Sequence, residues 1–518
     1  MLKKFNQTVT EGFLFLDQYE MVMAQLYFKL GLHKEQVQFE HFFRDYPDYG
    51  SHKAGYCINA GLEWFADWMQ NTAVTENDIN LLSTSKTSSG KKLYSNEFLK
   101  WLQKNGNFSQ LNLRSIPEGR VVHPNEPITT IEGPLGISQL IETALLNQIN
   151  YQILIATKAS RIKEIVKNQP ILEFGARRAH DRGAVAGARA ALIGGADFTS
   201  NIGISYQLGF TPKGTHAHSM IQMFLAIGKS ELDAFQSFAD LYPDDCILLV
   251  DTIDTMNSGL PNAIRVFEKL KRKGHSPIGI RLDSGDLAYL TIKCATELDK
   301  SGFPDTKIVL SNELDELRIW QILSQIKKEA HFSGLDADKI IQRLIFGVGT
   351  NLITSSGDSA LSGVYKIAAV KHNDKWLPTL KLSETIKKMT LPGEKQIWRI
   401  IESSGKATAD LICKEDENPE SADNLTLINI LKDDEHRNIS KKNIFKLDPL
   451  LVEIITDGKL KYEFPSIRRI RERRENDLNQ LDFGVRRLIN PHYYQVSISN
   501  ELWELKKKLI NKINNNSG

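Results

Sequence analysis

The sequence predicts an α/β protein built around an irregular, TIM-like barrel of parallel strands. Two observations carry this. Short continuous apolar runs recur at 171–174, around 198–203, and at 246–250, 278–282, 307–310 and 343–346. Runs of that length without alternation are how strands read when both faces are buried. Helical stretches at 260–273, 285–300 and 313–329 separate the later runs. The polar or small residues that follow those runs, Asp251, Asp283, Asn312 and Gly347, recur at a step of about 30 residues, the length of one strand–helix unit. Six or more such units favour a barrel over the alternative, a doubly wound open sheet.

The rest of the chain follows in order. Residues 1–30 lead into a helix, with Asp17 as its N-cap and Met21, Ala24, Gln25 and Phe28 at helical spacing. Tyr19 falls on its first turn, where it packs in a core or offers a flat face to a ring. Residues 37–49 read as a strand ending near Pro47, and 60–69 as an amphipathic helix rich in tryptophan. Residues 70–115 are helical with breaks, and 120–135 are strands broken by prolines and glycines, closing a first domain at about residue 135. A long helix covers 138–168. The strand–helix rhythm then runs to about 365. Beyond it come an alternating strand at 364–376, more strands at 393–413, a polar loop at 414–423 and a mostly helical end at 463–514. The arginine run 468–474, interleaved with Glu472 and Glu475, reads as a solvated, salt-bridged face.

With 518 residues, 41% hydrophobic and 25% charged, the chain has the composition of a globular protein of two or three domains. A net charge of +2 argues for no nucleic-acid partner. No apolar run approaches the length needed to cross a bilayer, and the first residues carry no signal-peptide pattern. The cysteines, Cys57, Cys246, Cys294 and Cys413, form no CxxC pair. The expectation is a cytoplasmic protein with reduced thiols and no membrane partner.

In parallel α/β folds the chemistry sits at the C-terminal ends of the strands. Here those ends read EFGARR (173–178), TSN (199–201), GTHAHS (214–219), DTIDT (251–255), RLDSGD (281–286), SNELDE (311–316) and FGVGTN (346–351). Arginines, small hydroxyls, glycines and histidines at one rim suit a phosphorylated, anionic ligand. GTHAHS is expected to end a strand of its own. Asp251 with Asp254, and Asp283 with Asp286, place paired carboxylates on neighbouring strand ends, a set suited to Mg²⁺ bound to a pyrophosphate. The bland alternative for Asp251 and Asp283 is helix capping. Ser284-Gly285 and Gly347-Val348-Gly349-Thr350 offer open backbone N–H groups for phosphate.

Taken together these motifs resemble the nicotinate phosphoribosyltransferase family. Supporting matches are Asp17-Gln18-Tyr19, AGLE (60–63), LSE (382–384), LPGEKQIWR (391–399) and RRLINPHYY (486–494). The resemblance implies a type II phosphoribosyltransferase fold. An irregular barrel at 136–369 carries the active site, and an α+β domain at 1–135 is completed by roughly 370–518. It also implies a homodimer with active sites at the subunit interface, and ATP-coupled transfer of phosphoribose from 5-phosphoribosyl 1-pyrophosphate to nicotinate, with Mg²⁺.

The resemblance assigns His218 as a transiently phosphorylated histidine and implies no role for His216. Arg177 suits the nicotinate carboxylate, and Phe174, or Tyr19 from a partner subunit, suits its ring. Asp197, Thr199, Ser200, Asn201, Thr215, Arg281, Ser284, Gly285, Asn312, Gly347, Gly349 and Thr350 complete the expected substrate-binding set, with Asp251 and Asp283 as catalytic residues and metal ligands. The same fold serves nicotinamide and quinolinate, but SNELDE and LPGEK favour nicotinate. An isomerase or aldolase would need a clearly placed Schiff-base lysine or glutamate base. A metabolite sensor without catalysis would be expected to lack His218 or the aspartates.

Overall fold

The computed structural model describes residues 9–383, 388–432 and 435–516; Glu384 of the LSE match lies outside them. Two compact units emerge, one from 1–154 with 360–518 and the other from 155–359. The sequence places these boundaries at 135/136 and 369/370. They differ because a strand beginning at Gly363 pairs with the first strand of the chain, and so belongs with it.

The first unit opens with α1 (Gln18–Lys29), β1 (Gln36–Phe43), β2 (Cys57–Ile58), α2 (Leu62–Asn71), α3 (Glu76–Thr84), α4 (Asn96–Asn105), β3 (Asn112–Ser115), β4 (Val121–Val122) and β5 (Thr129–Pro134). Asp17 is the N-cap of α1 as expected, and the Glu20 carboxylate accepts from its backbone N–H at 3.1 Å. The long helix α5 (Glu142–Val166) follows.

The second unit then builds β6 (Ile171–Glu173), α6 (Asp181–Gly194), β7 (Phe198–Thr199), α7 (Ile202–Gln207), α8 (His218–Ala226), α9 (Glu231–Leu241), β8 (Ile247–Leu249), α10 (Leu260–Arg272), β9 (Gly279–Leu282), α11 (Leu287–Lys300), β10 (Lys307–Leu310), α12 (Glu316–Phe332), α13 (Ala337–Gln342), β11 (Leu344–Val348) and α14 (Thr350–Ile353).

Each apolar run named from the sequence contains a strand, although of 198–203 only Phe198–Thr199 is strand and Ile202 already begins α7, and each intervening stretch is a helix. The six strands are parallel, in the order β7-β6-β11-β10-β9-β8. That is the cyclic order of a barrel cut between β7 and β8. Among the described residues no strand occupies the cut. The GTHAHS segment runs through it without joining a ladder and leads into α8. This corrects the expectation that GTHAHS ends a strand. Apart from Ala217 the segment is glycine and polar side chains, with no continuous apolar run to bury on two faces.

α6 shows why its sequence is alanine-rich. A Cβ on Gly194 would lie 2.2 Å from the carbonyl oxygen of Ala156, so only glycine permits that approach. Gly195, at φ 118°, then ends the helix in the left-handed conformation glycine tolerates. At the start of α12 the last glutamate of SNELDE is structural. Glu316 is fully buried, with Lys158 Nζ at 3.1 Å and Arg161 Nε at 3.5 Å, both cations also buried. Glu316→Gln should lower stability by about 3–5 kcal/mol, because it strips two buried cations of their charge partner. Denaturant midpoints of the variant and the parent measure this; an unchanged midpoint would show the cations compensated elsewhere.

After 360 the chain returns to the first unit with β12 (Gly363–His372), β13 (Lys375–Pro378), β14 (Lys395–Glu402), β15 (Ala407–Lys414), β16 (Asn424–Asn429), β17 (His436–Ser440), β18 (Ile444–Pro449), β19 (Val452–Thr456), β20 (Lys459–Leu460), α15 (Ile467–Gln480), β21 (Val496–Ile498) and α16 (Asn500–Asn516). One sheet runs β13-β12-β1-β5-β3-β19-β20 and another β17-β16-β21-β15-β14-β18. Ile400, Ala409, Leu411, Leu425, Leu427 and Ile439 form an apolar cluster on the latter.

LPGEKQIWR has a structural job in this unit. Lys395 is buried against Glu40 at 2.8 Å, and the Arg399 fork meets Asp410 at 2.9 and 2.6 Å and Asp477 at 2.8 Å. The arginine run is only partly a solvated face. Arg474 is 2% exposed, because it shares the inward stripe of α15 with Ile467, Ile470, Asp477 and Leu478. All four cysteines are buried. No described helix is long and apolar enough to cross a membrane.

Candidate active site

Because the six strands are parallel, one rim of the second unit collects the residues that follow each strand. Two aspartates define its centre. Asp251, after β8, is held at Oδ2 by the Asp283 backbone N–H at 3.1 Å and the Ser284 hydroxyl at 2.5 Å. Its carboxylate is 2% exposed, yet Oδ1 accepts no hydrogen bond. Asp283, after β9, accepts from the Ser311 hydroxyl at 2.6 Å through Oδ1, and its Oδ2 lies 3.2 Å from Arg281 Nη2. Neither is a helix cap. The caps are Asp254, which accepts from Met256 and Asn257, and Asp286, which accepts from Ala288 and Tyr289. The paired aspartates thus divide by position: the outer member of each pair caps the start of a helix, while the inner member is left facing the rim.

His218, the first residue of α8, completes this centre. Its Nε2 lies 3.8 Å from Asp251 Oδ1 and 3.7 Å from Asp283 Oδ2, and its Nδ1 lies 3.0 Å from Thr252 Oγ1. Thr252 was not singled out from the sequence. Its only signal there is its place between the two aspartates of DTIDT.

A hydrogen-bond network ties the remaining motifs together. Arg281 donates to Ser311 Oγ at 2.9 Å and to Thr215 Oγ1 at 3.2 Å, and its guanidinium sits 5.4 Å from the centroid of Phe174. Phe174 is 8% exposed. Its ring fills the space where Gly347 would carry a Cβ, 2.5 Å from the nearest ring carbon. Phe174 is thus nearly enclosed rather than openly presented, and the ring's position explains why residue 347 is glycine. Gly349 and Thr350 remain on the rim, Thr350 exposed. Gly285 has φ +79°, which favours glycine in the turn after Asp283.

Glu173, unremarked in the sequence, is fully buried, and burial raises its pKa. It accepts from the Thr199 hydroxyl at 2.6 Å and from the Gly175 backbone N–H, joining EFGARR to TSN. Thr199 is therefore a buried strut, and Asn201 caps α7 through Ile204 N–H at 3.2 Å. Ser200 stays partly exposed between them. Asn312 is exposed with φ 99°, and Glu313 follows at φ 47°, two left-handed non-glycine residues in succession. Asn351 and Arg318 hold this turn through the Glu313 carbonyl at 2.7 and 3.3 Å.

Arg177 and Arg178 are exposed after β6, and among the described residues Arg177 has no hydrogen bond or ion pair. Asp197 is a correction. It accepts from Lys163 at 3.0 Å and from Ile171 N–H at 2.9 Å, at the N-terminal end of β6 and so at the opposite end of the strands from the rim. It precedes β7 instead of following it, which the motif alone did not reveal. Tyr19 lies in the first unit, on α1, exposed, with its hydroxyl pKa raised by burial and by Glu142.

Among the described residues no three His, Cys, Asp or Glu side chains converge to hold a metal by themselves. The rim fits a Mg²⁺ of another kind, bound by one or two carboxylates and by a substrate's phosphates. Asp251 Oδ1, buried and without a donor, is the oxygen that such an ion would satisfy.

Family comparisons agree with this geometry. The models for the nicotinate phosphoribosyltransferase N-terminal domain, family and C-terminal domain match residues 14–150, 170–396 and 394–506. Nicotinate phosphoribosyltransferase of Bacillus subtilis is 38% identical over 96% of this chain and 95% of its own length. That of Caenorhabditis elegans is 31% identical over 95% and 92%. Human nicotinic acid phosphoribosyltransferase superposes with a TM-score of 0.77 at 25% identity, covering 95% of this chain and 99% of that one. A nicotinate-nucleotide pyrophosphorylase from Pyrococcus furiosus, TM-score 0.64 at 22% identity over 93% and 99%, shares the fold. End-to-end identity at this level, with family models matching all three segments of the chain, places it in the nicotinate phosphoribosyltransferase family.

Proposed function

We propose that this chain transfers phosphoribose from 5-phosphoribosyl 1-pyrophosphate to nicotinate, a salvage step toward NAD, and couples it to ATP hydrolysis through a phosphohistidine at His218. The observation that supports the coupled reading is the setting of that ring. Nδ1 lies 3.0 Å from Thr252 Oγ1 and Nε2 faces two carboxylates on the rim; with the proton on Nδ1, the Nε2 lone pair is the nucleophile. Nε2 attacks the γ-phosphorus of ATP; the N–P bond forms as the P–O bond to ADP breaks, and ADP leaves with the electron pair. Water later takes the phosphoryl group, and the pair returns to Nε2.

In the transfer itself, the bond from C1 of the ribose to pyrophosphate breaks with its electron pair on the leaving oxygen. The nicotinate ring nitrogen then forms the new bond to C1. A Mg²⁺ on Asp251 and Asp283 would supply charge neutralisation for the leaving group. The Arg177 fork, free on the rim, meets the nicotinate carboxylate. Ser200, Ser284, Gly285, Asn312, Gly349 and Thr350 line the same rim as donors to phosphate and ribose.

The active form proposed is a cytoplasmic homodimer in which Tyr19 reaches the site of a second copy. The apolar side chains exposed along α1 and at its C-cap, Tyr19, Val22, Leu26 and Leu30, support a covered face there. Light scattering on the purified protein should give twice the chain mass; a monomer at assay concentration would overturn the shared site.

The deciding assay compares nicotinate, nicotinamide and quinolinate side by side, with and without ATP. Turnover of nicotinate alone, faster with ATP, is expected; preference for either other ring would overturn the assignment. Arg177→Ala should raise the KM for nicotinate by roughly 10- to 100-fold, the loss of a charged hydrogen-bonded pair. The KM for phosphoribosyl pyrophosphate should stay within about threefold, since the substituted group faces the ring carboxylate. Equal values for both constants in variant and parent would remove Arg177 from that role.

A further inference from the structure

The cut in the barrel between β7 and β8 is bridged by residues 213–216, and the way it is bridged assigns a role to His216. On one side Lys213 N–H donates to the Thr199 carbonyl of β7 at 3.2 Å. On the other the Leu249 N–H of β8 donates at 3.0 Å to Nε2 of His216. A side-chain nitrogen thus stands where a neighbouring strand would offer a carbonyl. Leu249 is fully buried, so without this acceptor its N–H would be orphaned.

The bond also fixes the ring. Nε2 accepts, so any proton is on Nδ1. Burial holds the pKa down at about 4, so the ring stays neutral and the acceptor is kept at physiological pH. His216 is 9% exposed and packs edge-on against Phe238 of α9, centroids 5.1 Å apart. Its neighbours on either side do different work. Thr215 receives Arg281, and His218 faces the two aspartates.

We propose that His216 is a positioning residue: its imidazole substitutes for a missing strand, closes the seam between β7 and β8, and thereby sets where Thr215 and His218 stand on the rim. The labelling part of the test rests on the phosphohistidine reading; exchange and KM do not. A leucine at 216 keeps the bulk and removes the acceptor. A glutamine carries an acceptor oxygen at about the same reach as Nε2 and cannot titrate.

The experiment compares wild type, His216→Leu and His216→Gln in the full-length protein. It measures deuterium exchange across 246–250, the rate of acid-labile phosphate incorporation from γ-labelled ATP, and the KM for phosphoribosyl pyrophosphate. His216→Leu is expected to speed exchange at 246–250 and slow labelling, each by about tenfold or more, the order set by an unpaired buried N–H. It should also raise the KM, because Thr215 and Arg281 move with the seam. His216→Gln should return all three to within about threefold. Should leucine prevent folding, asparagine, whose acceptor falls short of Leu249, replaces it.

Wild-type exchange and KM in the leucine variant would overturn the proposal. So would a glutamine variant as impaired as leucine, since the ring's packing would then be what matters. If wild type itself takes no label, the phosphohistidine reading fails, and exchange and KM decide the seam alone.

Discussion

Asp251→Asn and Asp283→Asn are each expected to cut turnover at least ~100-fold, because each removes negative charge from the oxygens that would hold a Mg²⁺–pyrophosphate unit. Asp251 shows why an amide cannot substitute. Its Oδ2 already receives two donors, Asp283 N–H and Ser284 Oγ, so the asparagine oxygen must stay there. The amide NH₂ then falls at Oδ1, the buried position with no donor, and points hydrogens where a cation should sit. Asp283 differs, since Ser311 and Arg281 satisfy its two oxygens, so its variant should also loosen Arg281. Asp254→Asn and Asp286→Asn are the controls. Asparagine caps helices as well as aspartate does, so these should keep both fold and turnover. Turnover measured across a Mg²⁺ titration separates the cases. Near-parental rates at saturating Mg²⁺ in both inner variants would show that the pair only braces the rim.

His218→Asn should keep part of the ATP-independent transfer and lose stimulation by ATP, together with the ATPase activity. Pyrophosphate is already a good leaving group, so base-to-sugar transfer needs no phosphoryl donor. A phosphorylated imidazole would instead add about −2 of charge and new acceptor oxygens beside Asp251 and Asp283, enough to draw in Mg²⁺ and order the rim. ATP then shifts affinity and equilibrium. Asparagine can still meet Thr252 but has no nucleophilic nitrogen. Labelling with γ-labelled ATP should give an acid-labile, base-stable adduct in the parent and none in the variant. Equal labelling of both would exclude His218 and turn attention to other nucleophiles. His216 is a poor second choice, because its Nε2 is occupied by Leu249 N–H.

The strand–helix rhythm was legible because both faces of each barrel strand are buried: Leu248, Ile280, Ile308 and Phe346 are all fully enclosed. Continuous apolar runs follow directly from that. GTHAHS breaks that rhythm, against the expectation of a strand, because it closes the barrel without a ladder. Its acceptor is a side chain, and side-chain acceptors leave no periodicity in a sequence. The antiparallel return of β12 onto β1 was hidden for a related reason, since pairing across several hundred residues is set by packing partners and not by local pattern.

The sequence by itself determined which segments gather at the rim. Parallel strands bring their C-terminal ends together, so a list of strand ends is already a list of neighbours. It also determined the family, through motifs in fixed order. Only the tertiary structure decided what each residue does there. Asp251 and Asp254 are the same amino acid three positions apart, and only the fold makes one a helix cap and leaves the other's buried oxygen without a donor. Asp197 sits within a site motif, yet it faces the far end of the barrel, because it precedes its strand. Phe174 and Gly347 read as ligand contacts but fill each other's space. In each case the residue type sets what chemistry is available, and the direction of the side chain, which depends on strand polarity and on what packs beside it, sets whether that chemistry meets a substrate or another part of the protein.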